Sequence, residues 1–558
     1  MIPFTVRCGQ MKSSSFEEMN EEMFKKLLKL DPFTASSLGL HDPYDWQMPH
    51  GGFKRLDDLT KLLDEWSKKA HAAAKSEDLT IDQEIALEGL DLAAGLLDFS
   101  INDYPLWKMY PDGLESPGGT LFMMISREYA PLETRVDAIS ARLDLLPQYL
   151  AEFRSRFKGA RAVKVWTQVA IEACDQIPSF LKFIEVTARS KVPQRMTAEL
   201  GKNIARVESA LGDHRDWLDQ LLDNADTEFA MGREKFAKLM KLRGFELTPD
   251  EMLALGVKYM RDLKKEREQI AERIAPGRGV DAAAKIVQAA SPKTFEEALK
   301  ATKDEMDKAK QFIIEHDLAS VDEKAILRVI ETPAFLAPII PYAAMFMSSK
   351  FDKVQEGIYV VTRPKDPKDL ASHLDYAAII NTAVHEAYPG HFQQGVLSNS
   401  KHWMLQLPGN VENAYAGAET VEGWAHYCEK MMYDHGFERN DSAALEMLNG
   451  AIWRAYRIIA DVKLAYGDAS IEEMVDMAVN EVGMARNASE VEVKRYSRSP
   501  GQALSYMIGR HIIIGFRQKL EKQLGEKFDE KSFHDLFAAY GYLPISLMMN
   551  AVKAQMIA

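Results

Sequence analysis

Cysteine is scarce. The chain of 558 residues holds three, Cys8, Cys174 and Cys428, far apart and without a Cys-x-x-Cys pair. This spacing excludes a disulfide framework and a thiolate metal cage. It fits a reducing compartment, so a cytoplasmic location is expected. Long apolar runs are missing as well: none reaches the roughly 18 residues of a membrane-spanning helix, so no membrane partner is expected. The opening segment, MIPFTVRCGQMKSSS, lacks the apolar centre of a signal peptide. Residues 1–10 read as an N-terminal extension, and Met11 opens a cleaner helical pattern. Basic excess is also absent. Lys and Arg total 69 against 83 Asp and Glu, for a net charge of -14 and a pI near 5.5. Nucleic acids and anionic membranes reward clustered cations, so neither is expected as a partner. Internal repeats and low-complexity tracts are not found.

What is present reads as helix after helix. The length exceeds what one core usually serves, so two lobes are expected. Apolar residues recur at helical spacing over Phe16–Leu30, 54–76, 80–101, 132–158, 161–189 and 195–222. The segment from Gly244 to Pro249 is a candidate boundary, giving an N-terminal helical lobe at 11–245 and a second lobe at 246–558. Thr248-Pro249-Asp250-Glu251 is a strong helix start, with Thr248 as N-cap and Glu251 three residues on. Ser291-Pro292 is another start. The stretch from Pro333 to Pro341 cannot be one smooth helix. Gly357–Thr362 is β-branched and aromatic, the best strand candidate. The fold class is therefore all-α, with at most a small β hairpin.

Residues 373–392 read HLDYAAIINTAVHEAYPGHF. A helix is predicted from about Asp369 to Tyr388, ending with His385 and Glu386. In the His-Glu-x-x-His zinc helix, two histidines four apart share a face and the Glu serves as base. Here the fourth position is Pro389, and the next histidine is His391. On an unbroken helix six residues advance about 9 Å and rotate roughly 120° off the first face. Pro389 disfavours helix at Tyr388 and removes a donor. Gly390 accepts dihedrals that other residues avoid. Together they can turn the chain and bring His391 back beside His385.

The segment 411–435 reads as a helix with Tyr415, Glu419, Glu422, His426 and Glu429 along one face, among mostly apolar residues. Buried carboxylates need a partner, and two His plus one Glu is a common zinc-hydrolase set. Glu422 is the chosen third ligand. Gly423 beside it permits close helix approach, and Trp424 can pack there. Glu419, His426 and Glu429 are candidates for orienting a ligand, and Glu419 or Glu429 is the alternative ligand.

Residues 494–510 read KRYSRSPGQALSYMIGR. Ser499, Pro500 and Gln502 form a capping-box pattern. Gln502, Tyr506 and Arg510 then share a face, and Gly509 permits close packing. Tyr506 or Tyr496 is a candidate for stabilising an oxyanion. Arg498, Gln502 and Arg510 are candidates for binding substrate, the arginines by gripping a carboxylate. His426 and His511 are further donors.

These segments resemble the domain of unknown function 885 family, a group regarded as zinc metallohydrolases. The likeness rests on His385-Glu386-Ala387-Tyr388-Pro389-Gly390-His391, on Glu422-Gly423-Trp424-Ala425, and on Arg495-Tyr496 with Pro500-Gly501-Gln502-Ala503 and Tyr506. Weaker agreement covers Phe33-Thr34-Ala35 with Gly39, Glu331-Thr332-Pro333 and Gly357-Ile358-Tyr359. The resemblance implies an almost all-α fold similar to the helical gluzincin peptidases, with a deep cleft between lobes. Family members often carry a second His after the last motif His, where this chain has Phe392. Many members are exported lipoproteins, and the opening residues show no such leader.

The expected function is a metallopeptidase with one zinc ion, acting on short peptides as a carboxypeptidase or oligopeptidase. Glu386 takes a proton from the attacking water and hands it to the leaving amine. Two alternatives stand: a metal-dependent hydrolase of a non-peptide amide or ester, and a non-catalytic helical metal-binding protein.

Overall fold

The computed structural model describes residues 15–189, 191–333, 340, 342–407 and 415–557. The readings of residues 1–10, of Met11 and of most of the 333–341 segment lie outside them. Helices follow the apolar periodicity closely. The N-terminal half contributes α1 (Ser15–Leu30), α2 (Lys54–Ala74), α3 (Ile81–Asp98), α4 (Glu115–Ser126), α5 (Leu132–Arg154), α6 (Lys164–Arg189) and α7 (Gln194–Leu222). The chain turns at Gly244, where φ is +82°, a conformation that glycine adopts without strain. It restarts as α8 (Pro249–Ile274) on a complete Thr248/Glu251 capping box. After a shorter helix at Gly279–Ala289, α9 (Phe295–Glu315) is capped by Thr294 and not by Ser291.

A small sheet follows: β1 (Ile326–Glu331), β2 (Ala343–Phe346) and β3 (Glu356–Val361). The central strand is β3, at the strand position expected. It pairs antiparallel with β2, and β1 adds a parallel neighbour not foreseen from the sequence, in register Ile326↔Glu356 to Glu331↔Val361. The site-bearing helices come next: α10 (Tyr376–Glu386), α11 (His391–Asn399), α12 (Ala418–Asp434), α13 (Asp441–Tyr466), α14 (Arg486–Arg498), α15 (Ser505–Leu524), α16 (Glu530–Ala539) and α17 (Ile545–Ile557). The fold is all-α with a minor β element.

One apolar core runs from Phe16 in α1 to Val552 in α17. A second gathers Phe33 with α4 to α7. Among the described residues no helix is long and apolar enough to cross a membrane. Cys174 and Cys428 are buried and free.

Three helix starts differ from the sequence reading, each for an identifiable reason. α10 begins at Tyr376 and not near Asp369, because the Asp375 carboxylate caps the Ala378 amide at 2.9 Å. α12 begins at Ala418, because Gly417 takes a left-handed conformation (φ +84°). Tyr415 is therefore off the helix. α15 begins at Ser505, and Ser499 is no N-cap: it closes α14. Gly501 has φ +88°, which breaks the helix there. The buried Asp461 of α13 accepts the Gly501 and Leu504 amides, both at 2.8 Å, in place of a serine cap.

Candidate metal centre

The turn between α10 and α11 brings the two histidines together. α10 ends at Glu386, and the Tyr388–Pro389 peptide is cis. The chain then folds back so tightly that the Gly390 amide donates to the Val384 carbonyl at 3.1 Å. A Cβ on Gly390 would stand 1.9 Å from the His385 carbonyl oxygen and 2.4 Å from that of Val384. Only glycine fits. The turn is pinned from outside as well, since the buried Trp424 indole of α12 donates to the Pro389 carbonyl at 2.8 Å. As a result the His385 and His391 rings lie 4.8 Å apart, nearly perpendicular at 86°. Phe392 points the other way, onto β3: a Cβ on Gly357 would meet its ring at 2.5 Å. Gly390→Ala is expected to lower unfolding stability by about 2–3 kcal/mol, the range for overpacking against unyielding atoms. A reduced urea midpoint checks this.

Glu422 arrives from α12. Gly423 and Gly509 face each other where α12 crosses α15: a Cβ on Gly423 would stand 2.6 Å from the Gly509 backbone, and one on Gly509 would stand 2.1 Å from the Glu419 carbonyl oxygen. Glu422 Oε2 lies 3.3 Å from His391 Nε2 and 3.8 Å from His385 Nε2. The ligand atoms of these three residues all fall within 4.8 Å of one another.

The other two carboxylates of the stripe go elsewhere. Glu419 is fully buried against Arg243, at 2.5 Å, and accepts the Ile545 amide at 3.0 Å. It is a structural ion pair that joins the α8 approach to α12 and α17. Arg243→Met would leave that carboxylate buried without its partner, and a loss of about 3–5 kcal/mol is expected in chemical denaturation. Glu429 sits behind His385, and the His385 Nδ1–H donates to it at 2.7 Å. Its other oxygen accepts from His426 Nδ1 at 3.3 Å, and Arg454 pairs with it at 3.2 Å. Burial pushes the Glu429 carboxyl up, but Arg454 and the two histidines outweigh burial and hold it well below the usual range.

These bonds assign protons. With Nδ1–H committed to Glu429, His385 turns its Nε2 toward Glu422. Burial holds His426 down to about 3, so it is neutral. Its Nε2 accepts from Arg510 at 3.1 Å. Glu422 is drawn down to about 2: burial opposes ionisation, and the adjacent His391 and His385 overcome it. Burial lowers His391, yet Glu422 raises it further, so its net shift is upward.

The remaining sequence candidates divide. Glu386 is partly buried on the same turn as His385 and has no hydrogen-bond partner among the described residues. Tyr506 lies near Glu422, its ring 4.3 Å beneath the Arg457 guanidinium. Tyr496 is only 1 % exposed, and its hydroxyl is fully engaged: it donates to Glu492 at 2.6 Å and accepts from Arg457 at 2.9 Å. Gln502 is held by Arg495 at 2.8 Å. Arg498 pairs with Glu115 at 2.9 Å. Arg510 packs behind the centre on His426, and His511 bonds to Tyr259 at 2.7 Å. The sequence reading did not single out Arg454 and Arg457 of α13. The signal was available: they are cations at a spacing of three in a largely apolar stretch of the helix, much as polar residues marked α12.

A cavity of about 500 Å³ opens beside Glu422. Its walls come from α4, the loop after β2, and the start of α12, including Arg127, Met347, Lys350 and Tyr542.

Several solved structures share this fold, including two that cover nearly the whole chain. One is described as a "putative lipoprotein of unknown function" from Shewanella oneidensis. It has 20% identity and a TM-score of 0.74, with 98% of this chain and 100% of that chain covered. The other is called a "putative lipoprotein" from Colwellia psychrerythraea, at 19% identity and a TM-score of 0.82, covering 98% and 99%. A comparison with curated proteins gives no match. Residues 32–552 match the family described as bacterial protein of unknown function (DUF885), and a match of that extent makes this chain a member of it.

Proposed function

We propose that the chain is a zinc-dependent hydrolase of gluzincin type that cleaves short peptides, with His385 to His391 as an HExxPGH motif. The observation that carries this reading is the convergence of His385, His391 and Glu422 within 4.8 Å. The Glu422 carboxylate faces Nε2 of both imidazoles, an arrangement that favours a cation among the three, whether a proton on His391 or a metal ion. The donor set, two imidazoles and one carboxylate, fits a zinc-like divalent ion. When bound, such an ion supplies Lewis acidity, which acidifies water and polarises a carbonyl.

The chain's own groups do the rest. Glu386 is free to take a proton from attacking water and return it to the departing amine nitrogen. Tyr506 is kept neutral: burial and the Glu422 charge raise its hydroxyl pKa. It therefore has a proton to donate to a developing oxyanion. Tyr496 is left out of this role because its hydroxyl already serves Glu492 and Arg457. Glu429 orients His385, and His426 with Arg510 braces Glu429 from behind. The cavity beside Glu422 is of a size that takes a short peptide and excludes a folded protein.

Metal analysis joined to a peptide-library digest, read by mass spectrometry, tests the reading. Stoichiometric zinc and cleavage of short peptides are expected. A zinc-loaded protein that spares every peptide but opens a non-peptide amide or ester overturns the peptide assignment.

A further inference from the structure

The cavity beside Glu422 has a charge balance opposite to that of the chain. The whole protein carries 83 acidic against 69 basic residues. Yet among the described residues lining the cavity, Glu422 is the one carboxylate, while Arg127, Lys350 and His41 all reach its wall. His41 is matched by Asp45 at 2.9 Å, and Arg127 by Asp352 at 3.3 Å. Among the described residues Lys350 has no acidic partner. Its ammonium is held by the backbone carbonyls of Asn399, at 2.6 Å, and of Lys401. An ammonium has three donors, so one N–H is left over. Arg127 also keeps a buried Nε without a partner.

A half-buried cation without a counter-ion is costly. Burial pushes the Lys350 ammonium down to about 8, with no neighbouring carboxylate to offset it. A protein keeps such a group where a ligand supplies the missing charge. The anchors suggested by sequence, Arg498 and Arg510, are already engaged with Glu115 and His426.

We propose that this cavity is a carboxylate-binding subsite, in which Lys350, flanked by Arg127, holds an anionic group of the substrate close to the bond that is cut. The proposal deepens the peptide-hydrolase reading and rests on it for the identity of the ligand. Two sources share the chemistry: the free C-terminal carboxylate of a peptide and an acidic side chain.

Three peptides separate them: acetyl-Ala-Phe-Ala-Ala with a free carboxylate, the same peptide as its C-terminal amide, and acetyl-Ala-Phe-Ala-Glu amide. Binding is measured by calorimetry on full-length, metal-loaded Glu386→Gln protein, so that turnover does not enter. The free-acid peptide is expected to bind about ten-fold more tightly than the amide, as one charge-assisted contact provides. Preference for the Glu-containing amide instead assigns the subsite to a side chain. Lys350→Met in the same background is expected to abolish the preference, and Lys350→Arg to restore part of it. Thermal melting shows that each variant folds. Equal affinity for all three peptides, no binding of any, or a preference that survives in folded Lys350→Met would overturn the proposal. Selective binding without cleavage by the Glu386 protein would sink the hydrolase reading and leave the subsite standing.

Discussion

Glu386→Gln is expected to keep a full complement of zinc and to lose about 10²–10⁴-fold in kcat, the range for removing a general base. The geometry separates the two roles cleanly. His385, one residue earlier on α10, has its Nε2 among the ligand atoms, whereas Glu386 is not one of the three residues that converge. The substitution changes no ligand and removes no packing, since the amide is isosteric with the carboxylate. What it removes is the acceptor for water's proton. Zinc content by elemental analysis and single-turnover cleavage of a peptide identified in the library digest measure both arms. An enzyme that retained its rate would deny Glu386 this role. Lost zinc would place Glu386 among the ligands.

The second large effect concerns the carboxylates of α12, and it is graded. Glu422→Ala is expected to abolish stoichiometric zinc binding and all zinc-dependent hydrolysis, because two imidazoles alone would remain. Glu429→Gln is expected to weaken zinc affinity by about 10–100-fold, the usual consequence of losing the acceptor that orients a ligand histidine. The amide still accepts one hydrogen bond, but it cannot balance the charge of Arg454 at 3.2 Å or fix the His385 tautomer as firmly. Glu419 is the internal control. It is as buried as Glu429 and on the same helix, but its partners are Arg243 and the Ile545 amide. Its loss should lower folding stability while leaving the zinc affinity of the protein that remains folded near its original value. Competition with a chromophoric chelator ranks the three variants. Equal losses at Glu419 and Glu429 would contradict the division of roles.

The helical class was legible because a 3.6-residue apolar period survives whatever the helices pack against. Six helices of the N-terminal half lie within a few residues of where the pattern puts them. The misplaced starts share a cause. At Asp375, Gly417 and Asp461 the deciding group is either one capping side chain or a glycine in a left-handed turn. Asp461 is distant in sequence from the amides that it caps, so no local pattern could reveal it. The second strand pair was missed for the same reason: β1 is polar-edged and joins β3 across 24 intervening residues, from Glu331 to Glu356.

The site was legible in part. Pro389-Gly390 announced a bend, since those two residues are poor in a helix and good in a turn. Its tightness did not appear in the sequence, because that depends on how closely Gly390 approaches the end of α10. The stripe Glu419, Glu422 and Glu429 was visible as spacing. Spacing cannot rank three carboxylates on one face, because rank depends on what lies opposite each: Arg243, the two imidazoles, or Arg454 with His426.

By itself, then, the order of residues determined the helical class, the bend and the set of groups able to meet there, since each follows from local backbone preference and side-chain chemistry. Tertiary structure alone decided which carboxylate joins the imidazoles, which tyrosine lies beside Glu422, and where a cation without a described acidic partner lines the cavity. Those are outcomes of distance and burial between segments far apart in the chain, and the energy of a charge depends on its surroundings far more than on its neighbours in sequence.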